Sequence, residues 1–361
     1  MDAITQDLVC EVRGGVGFVT LNRPRALNAL TLDMVRGLMA VLLAWKDEAH
    51  ILAVAVRGSD KQGAFGAFCA GGDIRFLHQG GSTGDPRVED FFTEEYALNH
   101  LIHTYPKPYL AFMDGIVMGG GMGISQGAAQ RLVTERTKMA MPETAIGLFP
   151  DVGGGYFLSR CPGHAGEWLA LTGETIGAGD AIALRLADAQ VGLQSLAPLW
   201  EGLGAIRSGA DIQALIATHS IAVDAHQISA RAQIDHYFSM DSVGAIVAAL
   251  EASDGAWEAK TAATLRKRSP LMLHVVLEQI RRARHLSLAD DLRMERDMVR
   301  HCFHLRPGQS ETLEGIRALA VDKDHTPRWL PGRIEDVTPD MVAAFFASPW
   351  PAHAHPLAAL R

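Results

Sequence analysis

The stretch Tyr109-Leu110-Ala111-Phe112-Met113-Asp114-Gly115-Ile116-Val117-Met118-Gly119-Gly120-Gly121-Met122-Gly123 decides the fold class. Its first five residues form an apolar run closed by Asp114-Gly115, the pattern of a short buried strand. The glycines at 119–121 let the backbone turn and approach a ligand closely. A glycine run ahead of a helix also leaves N–H groups free at the positive end of that helix. Upstream, Ile51–Val56 is a second short apolar run, and Val16–Leu21 mixes β-branched and aromatic residues as strands do, until Asn22-Arg23-Pro24 breaks it. Thr31 is placed to cap a helix, with Leu32, Val35, Leu38, Met39 and Leu42 following at helical spacing. Strand and helix alternating across glycine-rich breaks predict an α/β fold with its site at strand ends.

Beyond about Leu193 the texture changes to helical patterns. Ser269 followed by Pro270 opens one helix, with Leu273, Val276, Leu277 and Ile280 on its apolar face. Ser287-Leu288-Ala289-Asp290 resembles a capping box for the next, whose buried stripe is Leu288, Leu292, Met298, Val299 and Cys302. No short-period repeat is visible. The expected organisation is therefore an α/β core over residues 1–195 and a helical C-terminal region over residues 196–361.

Composition excludes several classes. Of 361 residues, 48% are hydrophobic and 20% charged, which fits a sizeable core and not wholesale disorder. The net charge of −8 comes without a basic stripe, so no nucleic-acid partner is expected. The densest basic run, Arg266-Lys267-Arg268 followed by Arg281, Arg282 and Arg284, reads as solvated helix faces. Cys10, Cys69, Cys161 and Cys302 are widely spaced, which argues against a zinc knuckle or disulfide framework and fits a reducing compartment. No run approaches the roughly 18 apolar residues of a membrane span, and Met1–Asp7 lacks the pattern of a secretory signal or Arg-rich leader. A soluble cytoplasmic protein is the expectation.

Chemistry is expected at three glycine-rich breaks: Phe68–Arg75, Met118–Gly123 and Pro150–Tyr156. Such backbone stabilises an anion, either a phosphate or the oxyanion of acyl transfer. None matches GxxxxGK[ST], and neither the first nor the third completes a dinucleotide fingerprint. Two acids stand beside this backbone. Glu143 follows Met141-Pro142, and Asp151 precedes the third glycine run; together they can divide general-base and orienting roles, or simply cap and turn the chain. Glu94 and Glu95 fall in a helix running to His103 and read as surface acids. Gly123-Ile124-Ser125-Gln126-Gly127 matches the GxSxG elbow, but the turn belongs at Gly119–Gly121, which leaves Ser125 inside the helix. His100 and His103 lack an evident third metal ligand.

Asn22–Leu30, Phe68–Ile74 and Gly115–Gly121 occur in an order and spacing that resemble the enoyl-CoA hydratase (crotonase) superfamily, over about Val9 to Leu193. The resemblance implies a spiral of ββα units whose Gly72 and Gly120 N–H groups form an oxyanion hole for a thioester carbonyl. It also implies that Arg25, Ala26, Leu27 and the Ala70 backbone hold coenzyme A. Typical hydratases carry two glutamates. One matches Glu143; the other falls on Gly123, so one acid–base arm of simple hydration is missing.

Glu94-Glu95-Tyr96, the run Met141–Leu158, and Asp322-Lys323-Asp324 through Pro327 and Trp329 are similar to the 3-hydroxyisobutyryl-CoA hydrolase subgroup. Ser310–Gly315 departs from the usual Asp-Phe start of its segment, which reads as a local packing change. The resemblance implies hydrolysis of a short 3-hydroxyacyl-CoA, as in valine degradation. Glu143 would either activate water or attack the carbonyl. Asp151 would bind the 3-hydroxyl or orient Glu143, and Glu95 would line the acyl pocket. One oxyanion donor contributes on the order of 3–4 kcal/mol. No metal or redox cofactor is required, coenzyme A being part of the substrate. Superfamily members commonly form trimers, so a homo-oligomer is implied. A hydratase or isomerase using Glu143 with Asp151, a serine hydrolase built on Ser125 and a non-catalytic acyl-CoA binder are the competing readings.

Overall fold

A two-residue turn at Gly14-Gly15 starts the architecture. In the computed structural model, which describes residues 6–61, 63–223 and 230–361, Gly14 takes φ +56°, a left-handed conformation suited to glycine. The turn folds β1 (Leu8–Arg13) back antiparallel onto β2 (Val16–Leu21). Leu8 and Cys10 face inward while Val9 and Glu11 face solvent, a half-buried strand alternation. β3 (Ala53–Gly58) then joins β2 in parallel with Val16 opposite Ala53. It starts two residues later than the apolar run from Ile51 suggests, because the Leu52 N–H donates to Gly15 O as the approach to the ladder.

Helix α1 (Leu32–Lys46) begins where expected, with the Thr31 hydroxyl accepting from Met34 N at 3.2 Å. β4 (Tyr109–Met113), β5 (Ile116–Met118), β6 (Gln130–Val133), β7 (Lys138–Ala140) and β8 (Ala189–Gln190) complete the strands. The main sheet has the order β1-β2-β3-β4-β6-β8, parallel from β2 onward, and β5 pairs with β7 in a second small sheet. No strand follows β8 among the described residues.

The contacts divide the chain into two compact units. One comprises residues 1–72, 97–139 and 175–227; the other comprises 73–96, 140–174 and 228–361. The division interleaves along the chain instead of falling at one point after residue 195. The first unit carries the main sheet. Its core gathers Phe18, Phe112 and Leu132 from the strands around Trp200, whose ring centroid lies 4.8 Å from that of Phe18 and 5.1 Å from that of Phe112.

The second unit is mostly helical. Here α2 (Ile74–Thr83) leads into α3 (Arg87–His103), whose residues from 97 onward, like α4 (Gly120–Gln126), are grouped with the first unit. The short α5 (Gly154–Leu158) and α6 (Ala165–Thr172) follow in the second. Two long helices, α7 (Pro270–Ala283) and α8 (Leu288–His304), are capped by Ser269 and Ser287, whose hydroxyls accept from Met272 N and Asp290 N. Their expected apolar faces are buried. The basic run departs from a purely solvated reading. Arg268 donates to Thr172 O, Arg281 to Met240 O and Asp241 O, and Arg284 pairs with Glu167, so these half-buried guanidiniums tie main-chain carbonyls and an acid to the helices. No helix among the described residues is long and apolar enough to cross a membrane.

Within the first unit, the strand-like segment at Cys69 meets β5 through Cys69 N to Ile116 O and Met118 N to Cys69 O, both 3.0 Å. A Cβ on Gly121 would lie 2.3 Å from Cys69 O, so this approach requires glycine. Gly121→Ala is expected to cost about 1–3 kcal/mol through overpacking, read as a lower urea midpoint; an unchanged midpoint would show that the contact relaxes freely.

Candidate active site

One group of candidate residues, all within the first unit, is built from backbone. A 3-10 turn at Pro24–Ala26 ends with Leu27 at φ +51° and Asn28 at φ +57°. Asn28 is fully buried, and its amide does the fastening: Oδ1 accepts from Arg23 N, while Nδ2 donates to Ser59 O and Ala67 O. Ala70 N donates to Leu27 O and Leu30 N to Gly71 O, which stitches the 23–30 loop to the first glycine run. Arg25 is exposed, and Leu27 presents an apolar side chain to solvent at 45% exposure. A Cβ on Gly71 would lie 3.4 Å from Met118 O and 3.7 Å from Gly120 N, so the first and second glycine runs meet. Gly120 opens α4, so its N–H lies in the first turn, where the helix itself offers it no carbonyl.

Another group of candidate residues consists of acids, all within the second unit. The surface reading of Glu95 is corrected: it faces inward from α3 with 2% exposure, because the α3 face carrying Phe91, Phe92 and Tyr96 is itself buried. Glu94 is half-buried. Glu143 is the first residue of a 3-10 turn that follows Pro142 and is closed by Gly147 at φ +67°. It is 6% exposed, and its Oε2, like Oε1 of Glu95, is buried without a hydrogen-bond partner. Asp151 is equally buried, and Tyr96 donates its hydroxyl proton to Asp151 Oδ2 at 2.8 Å.

Burial dominates the electrostatics. It pushes the Glu143 carboxyl well above the ordinary glutamate range, and the charge of Asp151 adds to the shift. Glu95 is raised for the same two reasons in the same order. Asp151 is pushed up to about 6 by burial, opposed by the Tyr96 hydrogen bond. None of the three has a Lys, Arg or His partner among the described residues. Burial therefore favours the protonated form of each acid, and Asp151, at about 6, exchanges its proton closest to neutrality of those with a stated value.

Sequence reasoning missed three supports of this set. Tyr96 was visible only as part of a motif. The segment Ser310–Gly315 packs on the Glu143 turn: Thr312 Oγ1 donates to Gly147 O at 2.6 Å, and a Cβ on Gly315 would lie 2.3 Å from the Ile146 carbonyl carbon. The two small residues at 312 and 315 were the available signal. The third support is a pair of acids on α8, Asp291 and Glu295, bound to the third glycine run.

The competing motifs find little support. Ser125 lies within α4, fully buried, with its hydroxyl donating to Gly121 O, so it forms no exposed elbow. Among the described residues, no three His, Cys, Asp or Glu side chains are grouped to hold a metal ion.

Known proteins resemble this chain over most of its length. The chain is 37% identical over 348 residues to a mitochondrial 3-hydroxyisobutyryl-CoA hydrolase of Gallus gallus, covering 93% of this chain and 87% of that protein. It is 38% identical over 350 residues to the Danio rerio protein of the same name, covering 95% and 90%. It also superimposes on the crystal structure of a carnitinyl-CoA dehydratase from Mycobacterium thermoresistibile, with a TM-score of 0.89 and 38% identity over 96% of this chain and 98% of that one. Residues 16–346 match the enoyl-CoA hydratase/isomerase family. With the α/β core, the helical C-terminal region and the full-length likeness to its members, the chain belongs to the enoyl-CoA hydratase/isomerase family.

Proposed function

We propose that this protein hydrolyses the thioester of a short 3-hydroxyacyl-CoA, with 3-hydroxyisobutyryl-CoA as the leading substrate, giving the free 3-hydroxy acid and CoA. The observation that carries the reading is Glu143: a buried carboxyl with one oxygen unpartnered, its acidity weakened by burial, in a chain whose position 123 has no side chain. An acid of that kind is a strong base once ionised, and without a second glutamate at 123 the water-addition chemistry lacks an arm. The names of the Gallus gallus and Danio rerio relatives support the same reaction and substrate.

In this mechanism the Gly72 and Gly120 amides receive the negative charge that gathers on the carbonyl oxygen. Glu143 delivers the attack on the carbonyl carbon, directly or through water. Asp151, whose charge is steadied by the Tyr96 hydroxyl, accepts the 3-hydroxyl of the acyl group. Glu95 lines the acyl pocket. Arg25, Ala26, Leu27 and the Ala70 backbone hold coenzyme A, for which the exposed Arg25 and Leu27 offer charge and apolar surface. The reaction uses no metal or redox cofactor. The assembly is proposed as a homo-oligomer. The cytoplasm is the proposed compartment; the four buried cysteines, present as thiols, fit its reducing conditions.

A hydratase reading is kept in view by the dehydratase description of the superimposed structure. Free thiol released from 3-hydroxyisobutyryl-CoA is the expected activity, and Glu143→Gln is expected to lower kcat at least about 100-fold; water addition to crotonyl-CoA without thiol release would reverse the assignment. Isobutyryl-CoA, lacking the 3-hydroxyl, is expected to fall by about 10⁴-fold in kcat/KM, since a site built for a hydroxyl is left with an unpaired polar group. Equal kcat/KM for the two thioesters would remove Asp151 from its role.

A further inference from the structure

The third glycine run is held in an unfavourable shape. Val152 sits at φ +56° and Gly153 at φ +84°. For a β-branched residue this left-handed geometry is an outlier, costing on the order of 1–3 kcal/mol and persisting only where the surroundings enforce it. Asp151 is the residue immediately before this strained pair, so the turn sets where its carboxyl stands.

Side chains from two helices enforce the turn. Glu295 Oε2 accepts from Gly153 N at 2.7 Å, and Glu295 Oε1 accepts from Gly155 N at 2.9 Å. Asp291 Oδ2 accepts from Tyr156 N at 2.8 Å. From α7, Gln279 Nε2 donates to Pro150 O at 2.7 Å and to Glu295 Oε1 at 3.2 Å. Asp291, Glu295 and Gln279 are all 0% exposed. Asp291 and Glu295 are one helical turn apart on α8, and burial raises both carboxyls above the ordinary range, Asp291 to about 6. A Cβ on Gly155 would lie 2.6 Å from Asp291 Oδ1, so the fit between run and acids demands glycine there.

Three facts separate this from ordinary capping. The acceptors come from about 140 residues away in sequence, 142 for the Gly153 bond and 135 for the Tyr156 bond. α5 is only five residues long, too short to reward two buried acids by itself. The bonds also bracket the strained Val152-Gly153 pair on both sides, from Pro150 O to Tyr156 N.

We infer that Asp291 and Glu295 are positioning residues, an acid pair on α8 that grips three backbone amides of the Gly153–Tyr156 segment and thereby holds Asp151 in place for the substrate. The inference rests on the catalytic reading of Asp151 given above.

Glu295→Gln tests the grip because it preserves size while replacing one of two accepting oxygens with an NH₂ that faces an N–H. Asp291→Ala removes the acceptor of the Tyr156 bond outright, and serves where the first variant fails to fold. The measurements are kcat and KM for 3-hydroxyisobutyryl-CoA and amide hydrogen exchange at Gly153, Gly155 and Tyr156. The expected result is a protein that melts cooperatively, exchanges faster at those amides and loses roughly 10- to 100-fold in kcat with KM within about threefold, as for a catalytic group displaced by about 1 Å. Faster exchange with kcat unchanged would overturn the positioning role, and unchanged exchange would overturn the grip. If the wild-type enzyme releases no thiol from any 3-hydroxyacyl-CoA, the catalytic reading fails on its own, while exchange still reports on the grip.

Discussion

Glu95, Glu143 and Asp151 lie out of water together, with the Tyr96 hydroxyl as a donor to one of them and no Lys, Arg or His partner for any among the described residues. Removing a carboxylate from water without a positive partner is among the most costly arrangements in a protein, and the group answers by holding its proton. Much of the second unit can be understood as the scaffold that makes this tolerable. The 3-10 turn at Glu143 is locked by Gly147 and by Thr312 and Gly315 behind it, and Asp151 is fixed by Tyr96 in front and by the strained turn after it.

Folding and catalysis place opposite demands on these acids. Each folded pKa lies above its unfolded value, so their contribution to stability is fully present below the ordinary carboxylate range. It declines as pH rises through the raised values, about 6 for Asp151. The proposed chemistry instead needs Glu143 as an anion, which appears only as pH rises through its own raised pKa. Preorganised amide dipoles such as those of the glycine runs relieve the same difficulty for the transition state, since they meet new negative charge without reorganising.

The sheet, its apolar runs and the capped helices were legible because each is written locally: Tyr109–Met113 is a strand by composition and closure, and Ser269-Pro270 is a helix start by residue type. The glycine runs were legible because close backbone approach admits little else, as the Cβ positions at Gly121 and Gly155 show. What escaped was long-range pairing. Asp291 and Glu295 sit in a stretch, Asp-Asp-Leu-Arg-Met-Glu-Arg-Asp, whose charge pattern reads as solvated; the amides of Gly153, Gly155 and Tyr156 are what these two acids face instead. Glu95 was misread for the same reason, since an acid on a helix declares its face only through the neighbours that cover it.

The central claim is that Glu143 is a carboxyl whose proton is held by burial beside Asp151. Carbon-13 NMR of its side-chain carboxyl, assigned by difference against a Glu143 substitution and followed across pH in the folded protein, tests this directly. The account predicts a midpoint well above the ordinary glutamate value of 4.5 that moves down when Asp151 is replaced by Asn. A midpoint at 4.5, unmoved by that replacement, would contradict it.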